Sequence, residues 1–125
     1  MNKHKRIVID LDLTLANPKS LEQNYADILP NVEVVKTLKR YRADGFYIII
    51  HTARNMNTHN DNLGKINALT APTIFEWLKK HAIEYDEIYF GKPWCGHDGF
   101  YVDDKAIRPS EFINLSYDEI KKIIK

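Results

Sequence analysis

A single cysteine, Cys95, stands in the 125 residues, so no internal disulfide staples the chain. One thiol of this kind fits a reducing compartment, and a cytoplasmic setting is expected. Charge of either sign is balanced almost to nothing: 18 Lys and Arg against 17 Asp and Glu leave +1. Without a basic excess, no nucleic-acid partner is expected. No apolar run approaches the roughly 20 residues that a helix needs to cross a bilayer, so no membrane span is expected either. The basic stretch Met1-Asn2-Lys3-His4-Lys5-Arg6, followed by Ile7-Val8-Ile9, imitates the start of a secretory signal. Asp10 and Asp12 interrupt the apolar run too early for one. Internal repeats, low-complexity tracts and interdomain linkers are missing as well. With 44% hydrophobic residues, the expectation is one globular domain over 1–125.

What is there alternates in type along the chain. Arg6-Ile7-Val8-Ile9 is β-branched and short, the composition of a strand buried on both faces. Residues 16–30 are polar and bounded by Pro18 and Pro30, which predicts a loop or flap with one short helical turn. Asn31 caps a predicted helix in which Val35, Leu38 and Tyr41 recur at helical spacing until Gly45 ends it. Phe46 to His51 reads as a second buried strand. Residues 55–70 are Asn-rich and without period, hence a long loop, either functional or simply solvated. A helix is predicted from Pro72, with Ile74, Trp77, Leu78 and His81 near one face. Asp86 to Phe90 reads as a third strand and Phe100-Tyr101-Val102 as a fourth. A last helix starts at Ser116, where Ser116 and Glu119 form a capping box. Strands alternating with helices at these intervals predict an α/β fold with a parallel sheet and right-handed crossovers.

Each predicted strand hands over to polar groups at its carboxyl end: Asp10 and Asp12, then Thr52, then Lys92, then Asp103 and Asp104. Any one of these is ordinarily a cap or a turn residue. In a parallel sheet, however, all of them fall on the edge where α/β proteins bind ligands. Two carboxylates at the end of an apolar strand are costly to keep ionised without a compensating cation or a chemical task.

Asp10-Leu11-Asp12-Leu13-Thr14-Leu15, His51-Thr52-Ala53-Arg54, Gly91-Lys92-Pro93 and Tyr101-Val102-Asp103-Asp104 resemble, in order, the four motifs of the haloacid dehalogenase superfamily. The second Asp of the first motif is similar to the phosphatase branch. The short chain, Thr52-Ala53-Arg54-Asn55-Met56 and Gly91-Lys92-Pro93-Trp94-Cys95-Gly96-His97-Asp98-Gly99 further resemble small phosphatases of bacterial capsular polysaccharide biosynthesis. The resemblance implies a single Rossmann-like three-layer α/β/α domain without a cap. It implies a magnesium-dependent phosphomonoesterase acting on a phosphorylated sugar or capsule precursor. Asp10 would be the nucleophile, Asp12 the acid and base, Thr52 and Lys92 the phosphate-binding and charge-offsetting groups. Mg2+ would be held by Asp10, Asp12, Asp103 and Asp104, with Asp12 lending its backbone carbonyl and Asp104 binding directly or through water; hard oxygen donors of this kind suit that ion.

Caps in this superfamily are inserted between the first and second motifs or between the second and third. Both intervals are largely consumed here by one helix and one strand. An open site implies a large substrate, or a partner subunit covering the cleft, as in a homodimer. Around it, Arg54, Asn55, Trp94, His97 and Asp98 are candidate substrate-binding residues. Arg54 serves equally as an ion pair to the Asp103–Lys105 turn, and Trp94 serves equally as packing under its loop. Cys95 and His97 have the spacing of a metal pair but no second pair nearby, which leaves zinc unsupported. His51 reads as a core residue. A capless protein phosphatase with the same chemistry, and a non-catalytic binding subunit with the same fold, are the competing readings.

Overall fold

Burial along the first strand alternates. In the computed structural model, which describes residues 4–125, β1 is Arg6–Ile9, with Ile9 buried and Val8 63% exposed. Met1, Asn2 and Lys3, the head of the basic stretch, lie outside the described residues. Two-sided burial was expected for this strand and belongs instead to β2, Tyr47–Thr52, where Ile48, Ile49 and Ile50 are all buried. The reason is position: β2 is central, flanked by β1 and by β3 (Glu87–Phe90) in the order β1-β2-β3. Both pairings are parallel, with Val8 opposite Ile49 and Ile50 opposite Ile88. The chain is thus mixed α/β around a small parallel sheet.

Helix α1, Val32–Ala43, begins where Asn31 accepts a hydrogen bond from the Val34 N–H and buries Val34, Val35, Leu38 and Tyr41. Its far end is latched to the sheet. Arg42 Nη1 donates to Asp86 Oδ2 at 2.8 Å, and the same oxygen accepts from the Ile48 N–H at 2.8 Å. The Ile48 N–H, followed by Arg42, holds the Asp86 carboxyl below the usual aspartate range. A carboxyl depressed in the folded state contributes stability above its unfolded pKa of ~3.9 and loses it as pH falls through the lower folded value. Asp86→Ala is therefore expected to cost about 1.5–3 kcal/mol at neutral pH, the range for charge-assisted hydrogen bonds. Paired thermal melts of wild type and variant should show that gap narrowing below about pH 4; a gap independent of pH contradicts the latch.

Between α1 and the last strand, the residues read as a loop over 55–70 are half helical. Asn62 accepts from the Lys65 N–H and starts α2, Leu63–Lys65. A π turn, Ile66–Thr70, then leads directly into α3, Ala71–Lys80. Within 55–70 only Met56, Ile66 and Thr70 are buried, too few to set a period in the sequence, whereas Ile74, Trp77 and Leu78 of α3 carry the helical spacing read there. The turn segment before it carries Asn55, Asn60 and Asp61 at positive φ, a conformation to which short polar side chains are suited.

The flap over 16–30 does hold one 3₁₀ turn, Tyr25–Asp27. Its neck is closed by an antiparallel bridge between Ala16 and Pro30, and the Asn31 N–H donates to the Leu15 carbonyl at 2.8 Å. Trp77, buried in α3, donates its indole N–H to the Ile28 carbonyl at 2.7 Å and so pins the flap.

The chain divides into two compact units, one ending at Trp94 and the other Cys95–Lys125. In the second, the fourth predicted strand is absent: Phe100, Tyr101 and Val102 are extended by sequence but exposed, Val102 at 86%. Strand structure rests on pairing as well as on composition, and among the described residues the sheet comprises β1, β2 and β3. Helix α4, Pro109–Asn114, was not expected, whereas α5, Tyr117–Ile123, starts at the capping box formed by Ser116 and Glu119. Phe112 and Ile120 are buried.

Candidate active site

Three parallel strands ending side by side bring three of the sequence motifs to one edge. Asp10 follows β1 directly, Thr52 is the last residue of β2, and Lys92 lies just past β3. The Lys92 N–H donates to the Thr52 carbonyl at 3.1 Å, which extends the ladder by one bond and fixes where the lysine starts. Its ammonium reaches Asp10 Oδ1 at 3.9 Å. Gly91 makes this turn: its φ is +84°, and a Cβ there would run into the Leu63 side chain.

Asp10 is half-buried. Burial pushes its carboxyl above the ordinary aspartate range, and the charge of Asp12 pushes the same way; Lys92, the Leu11 N–H and the Thr14 hydroxyl oppose them. Thr14, quoted in the first motif but given no role from sequence, is thus one of the groups holding Asp10. Between the two aspartates and Thr14 the backbone is tight: Leu13 sits at φ 63° with its side chain exposed, and the Ala16 N–H closes back on the Leu11 carbonyl at 2.9 Å. A left-handed leucine costs of order 1 kcal/mol, a strain typical of functional turns.

Asp12 carries a two-point ion pair. Arg54 Nη2 donates to Asp12 Oδ1 at 2.7 Å and Arg54 Nε to Oδ2 at 3.2 Å. Arg54 thereby takes Asp12 as its ion-pair partner, a pairing outside both readings open from sequence, a grip on substrate and an ion pair to the Asp103–Lys105 turn. Its side chain is 1% exposed, that of Asp12 37%. Its own N–H donates to Thr52 Oγ1 at 3.1 Å, and a hydroxyl that accepts one bond still has its proton to give. The ring of Tyr25, from the flap, lies 4.3 Å from the Arg54 guanidinium carbon, a cation–π distance. Sequence reasoning missed Tyr25; its only signal was an aromatic in an otherwise polar flap.

The remaining candidates divide. Asn55, at φ 62°, spends its amide on Thr70 Oγ1 at 3.0 Å and ties the turn segment to the π turn. Trp94 is 39% exposed at the end of the first unit. His51 stacks edge-on to Tyr89 with centroids 6.4 Å apart, and burial, with Lys92 adding to it, lowers its imidazole below the usual range. His97, Asp98, Asp103 and Asp104 belong to the second unit and are exposed there. Asp103 Oδ1 accepts from the Lys105 N–H at 3.0 Å, the first cause that holds its carboxyl below the ordinary range. Among the described residues no three His, Cys, Asp or Glu stand close enough to hold a metal ion, and no helix is long and apolar enough to cross a membrane.

A crystal structure of a target protein from Vibrio cholerae is 50% identical to this chain, covers 96% of each of the two chains, and superposes with a TM-score of 0.91. The chain belongs to that protein's family. No protein-family model and no curated protein matches the chain. Within the family, the α/β architecture and the parallel sheet are common ground, since that TM-score extends over nearly the whole of both chains.

Proposed function

We propose that the chain is a magnesium-dependent phosphomonoesterase of the haloacid dehalogenase type, a Rossmann-like three-layer domain without a cap. The observation that carries this reading is the approach of Lys92 to Asp10 at the strand edge where Thr52 also ends. Three residue types scattered over the sequence meet where a phosphoryl group needs a nucleophile, a hydrogen-bond donor and a cation.

In this reading Asp10 attacks phosphorus in line. An O–P bond forms on Asp10 as the bond to the leaving oxygen breaks, and Asp12 supplies the proton that oxygen requires. Water then attacks the aspartyl phosphate, giving its proton to Asp12, so that phosphate leaves and both aspartates return to their starting state. Thr52 donates to a phosphoryl oxygen and Lys92 offsets its charge. Magnesium fits the donor chemistry: Asp10 is a carboxylate whose charge burial leaves undercompensated, and the Asp12 side chain, engaged by Arg54, leaves its backbone carbonyl as the oxygen to offer. The ion, when bound, supplies charge neutralisation for the transferring group.

The substrate class is a phosphorylated sugar or capsule precursor admitted by an open cleft. Purified protein is expected to hydrolyse p-nitrophenyl phosphate with magnesium and to stop when EDTA is added. Rates on sugar phosphates should exceed those on phosphoserine peptides. Hydrolysis that EDTA leaves untouched, or none at all with magnesium, removes the proposal.

A further inference from the structure

We propose that Arg54 is the positioning residue of Asp12, holding that carboxylate in the one orientation from which it exchanges a proton with the leaving oxygen. The inference rests on the phosphatase reading above and deepens it. Three observations lead there. First, the pair is buried asymmetrically: the cation is at 1% exposure and the carboxylate at 37%, so the arginine stands behind and presents the acid outward. Second, the arginine is itself fixed from three sides. Its N–H is on Thr52 Oγ1, its Nε and Nη2 are on the two oxygens of Asp12, and its guanidinium face is against Tyr25. Third, Arg54 Nη1 is buried and, among the described residues, has no hydrogen-bond partner.

The third point separates positioning from plain stabilisation. A buried ion pair is a weak source of stability, and an orphaned N–H on the same group costs more still. A pair that adds little to stability is better accounted for by the orientation it imposes on Asp12. The first and second points separate positioning from substrate gripping, because the guanidinium is covered by Tyr25 and already committed to Asp12. What the clamp does for chemistry follows from the geometry of proton transfer. A carboxylate two residues beyond the nucleophile has two free side-chain torsions, and the donor oxygen must stand within hydrogen-bond reach of the leaving oxygen. Arg54 removes both freedoms. Each Asp12 oxygen has two lone pairs; the arginine engages one on each, and the outward pair carries the proton given to the leaving alcohol and later taken from water.

A leaving group that needs no proton is indifferent to where the acid stands. Kinetics of Arg54→Gln and Arg54→Lys should therefore be compared with wild type on two substrates, p-nitrophenyl phosphate and glycerol phosphate, with magnesium. Arg54→Gln is expected to lose about 10–100-fold in kcat on glycerol phosphate, with KM changed by no more than about twofold, and less than about fivefold on p-nitrophenyl phosphate. Arg54→Lys, which keeps the charge but places its donors on a single nitrogen, should show the same ordering with smaller losses and serves as the reporter if the Gln variant does not fold. The double variant Asp12→Asn with Arg54→Gln should be no slower than Asp12→Asn alone. Equal losses on the two substrates, a raised KM with kcat intact, or additive losses in the double variant overturn the positioning role while leaving the phosphatase reading in place. A wild-type protein with no metal-dependent hydrolysis of either substrate overturns the phosphatase reading, and the positioning role with it.

Discussion

Asp10→Asn is expected to reduce magnesium-dependent hydrolysis of p-nitrophenyl phosphate by on the order of 10³-fold or more, the scale at which removing a nucleophile acts. The fold should survive intact. Burial disfavours the charge on Asp10, and an asparagine oxygen still accepts from the Leu11 N–H and the Thr14 hydroxyl, so the melting temperature is expected to hold or rise slightly. Loss of turnover with an unchanged melt identifies a chemical role. A near-normal rate rules Asp10 out as nucleophile, and a fall in both makes the residue structural.

The largest expected effect on stability lies at Trp77. Its ring fills the interior beside His81, with centroids 4.8 Å apart, and its indole N–H is the bond that pins the flap at Ile28. Trp77→Ala should cost about 3–5 kcal/mol, the range for emptying a buried aromatic site. For a chain of this size that lowers the melting temperature by roughly 10–15 °C. Trp77→Phe separates the two contributions: most of the volume stays, while the Ile28 carbonyl is left without its donor at about 1–3 kcal/mol. Faster backbone hydrogen exchange confined to the flap and its neck in Trp77→Phe is the result that marks the bond as the pin. Exchange that rises uniformly through α3 and the sheet instead assigns the whole effect to packing.

Legibility in the sequence followed the range of the interaction concerned. The three strands, α1 and α5 are written in contiguous residues: β-branched runs over 6–9 and 47–50, an Asn31 cap with Val35, Leu38 and Tyr41 behind it, and the Ser116–Glu119 box. The start of α2 was hidden because the short helix buries none of its own residues and Gly64 and the Asn-rich segment favour a loop. Phe100-Tyr101-Val102 has strand composition, but composition does not decide pairing, and among the described residues the sheet has three strands, β1, β2 and β3. At the site, the strand-end placement of Asp10, Thr52 and Lys92 was readable from spacing alone. The Arg54–Asp12 pair was not, since it joins positions 42 apart and no local pattern encodes which carboxylate a guanidinium will meet. Tyr25 was hidden for the same reason.

The closed neck of the flap bears on how such a scaffold grows. Because Ala16 and Pro30 are bridged to each other, the chain enters the flap after β1 and leaves it just before α1 at nearly one point, with Leu21 fully exposed on the excursion between. Lengthening an already closed loop is thermodynamically inexpensive, each doubling adding only about 0.6 kcal/mol. A whole module spliced in between those two residues would leave the sheet register untouched, making this hairpin-like stem a ready acceptor for added domains and for grafted reporters alike.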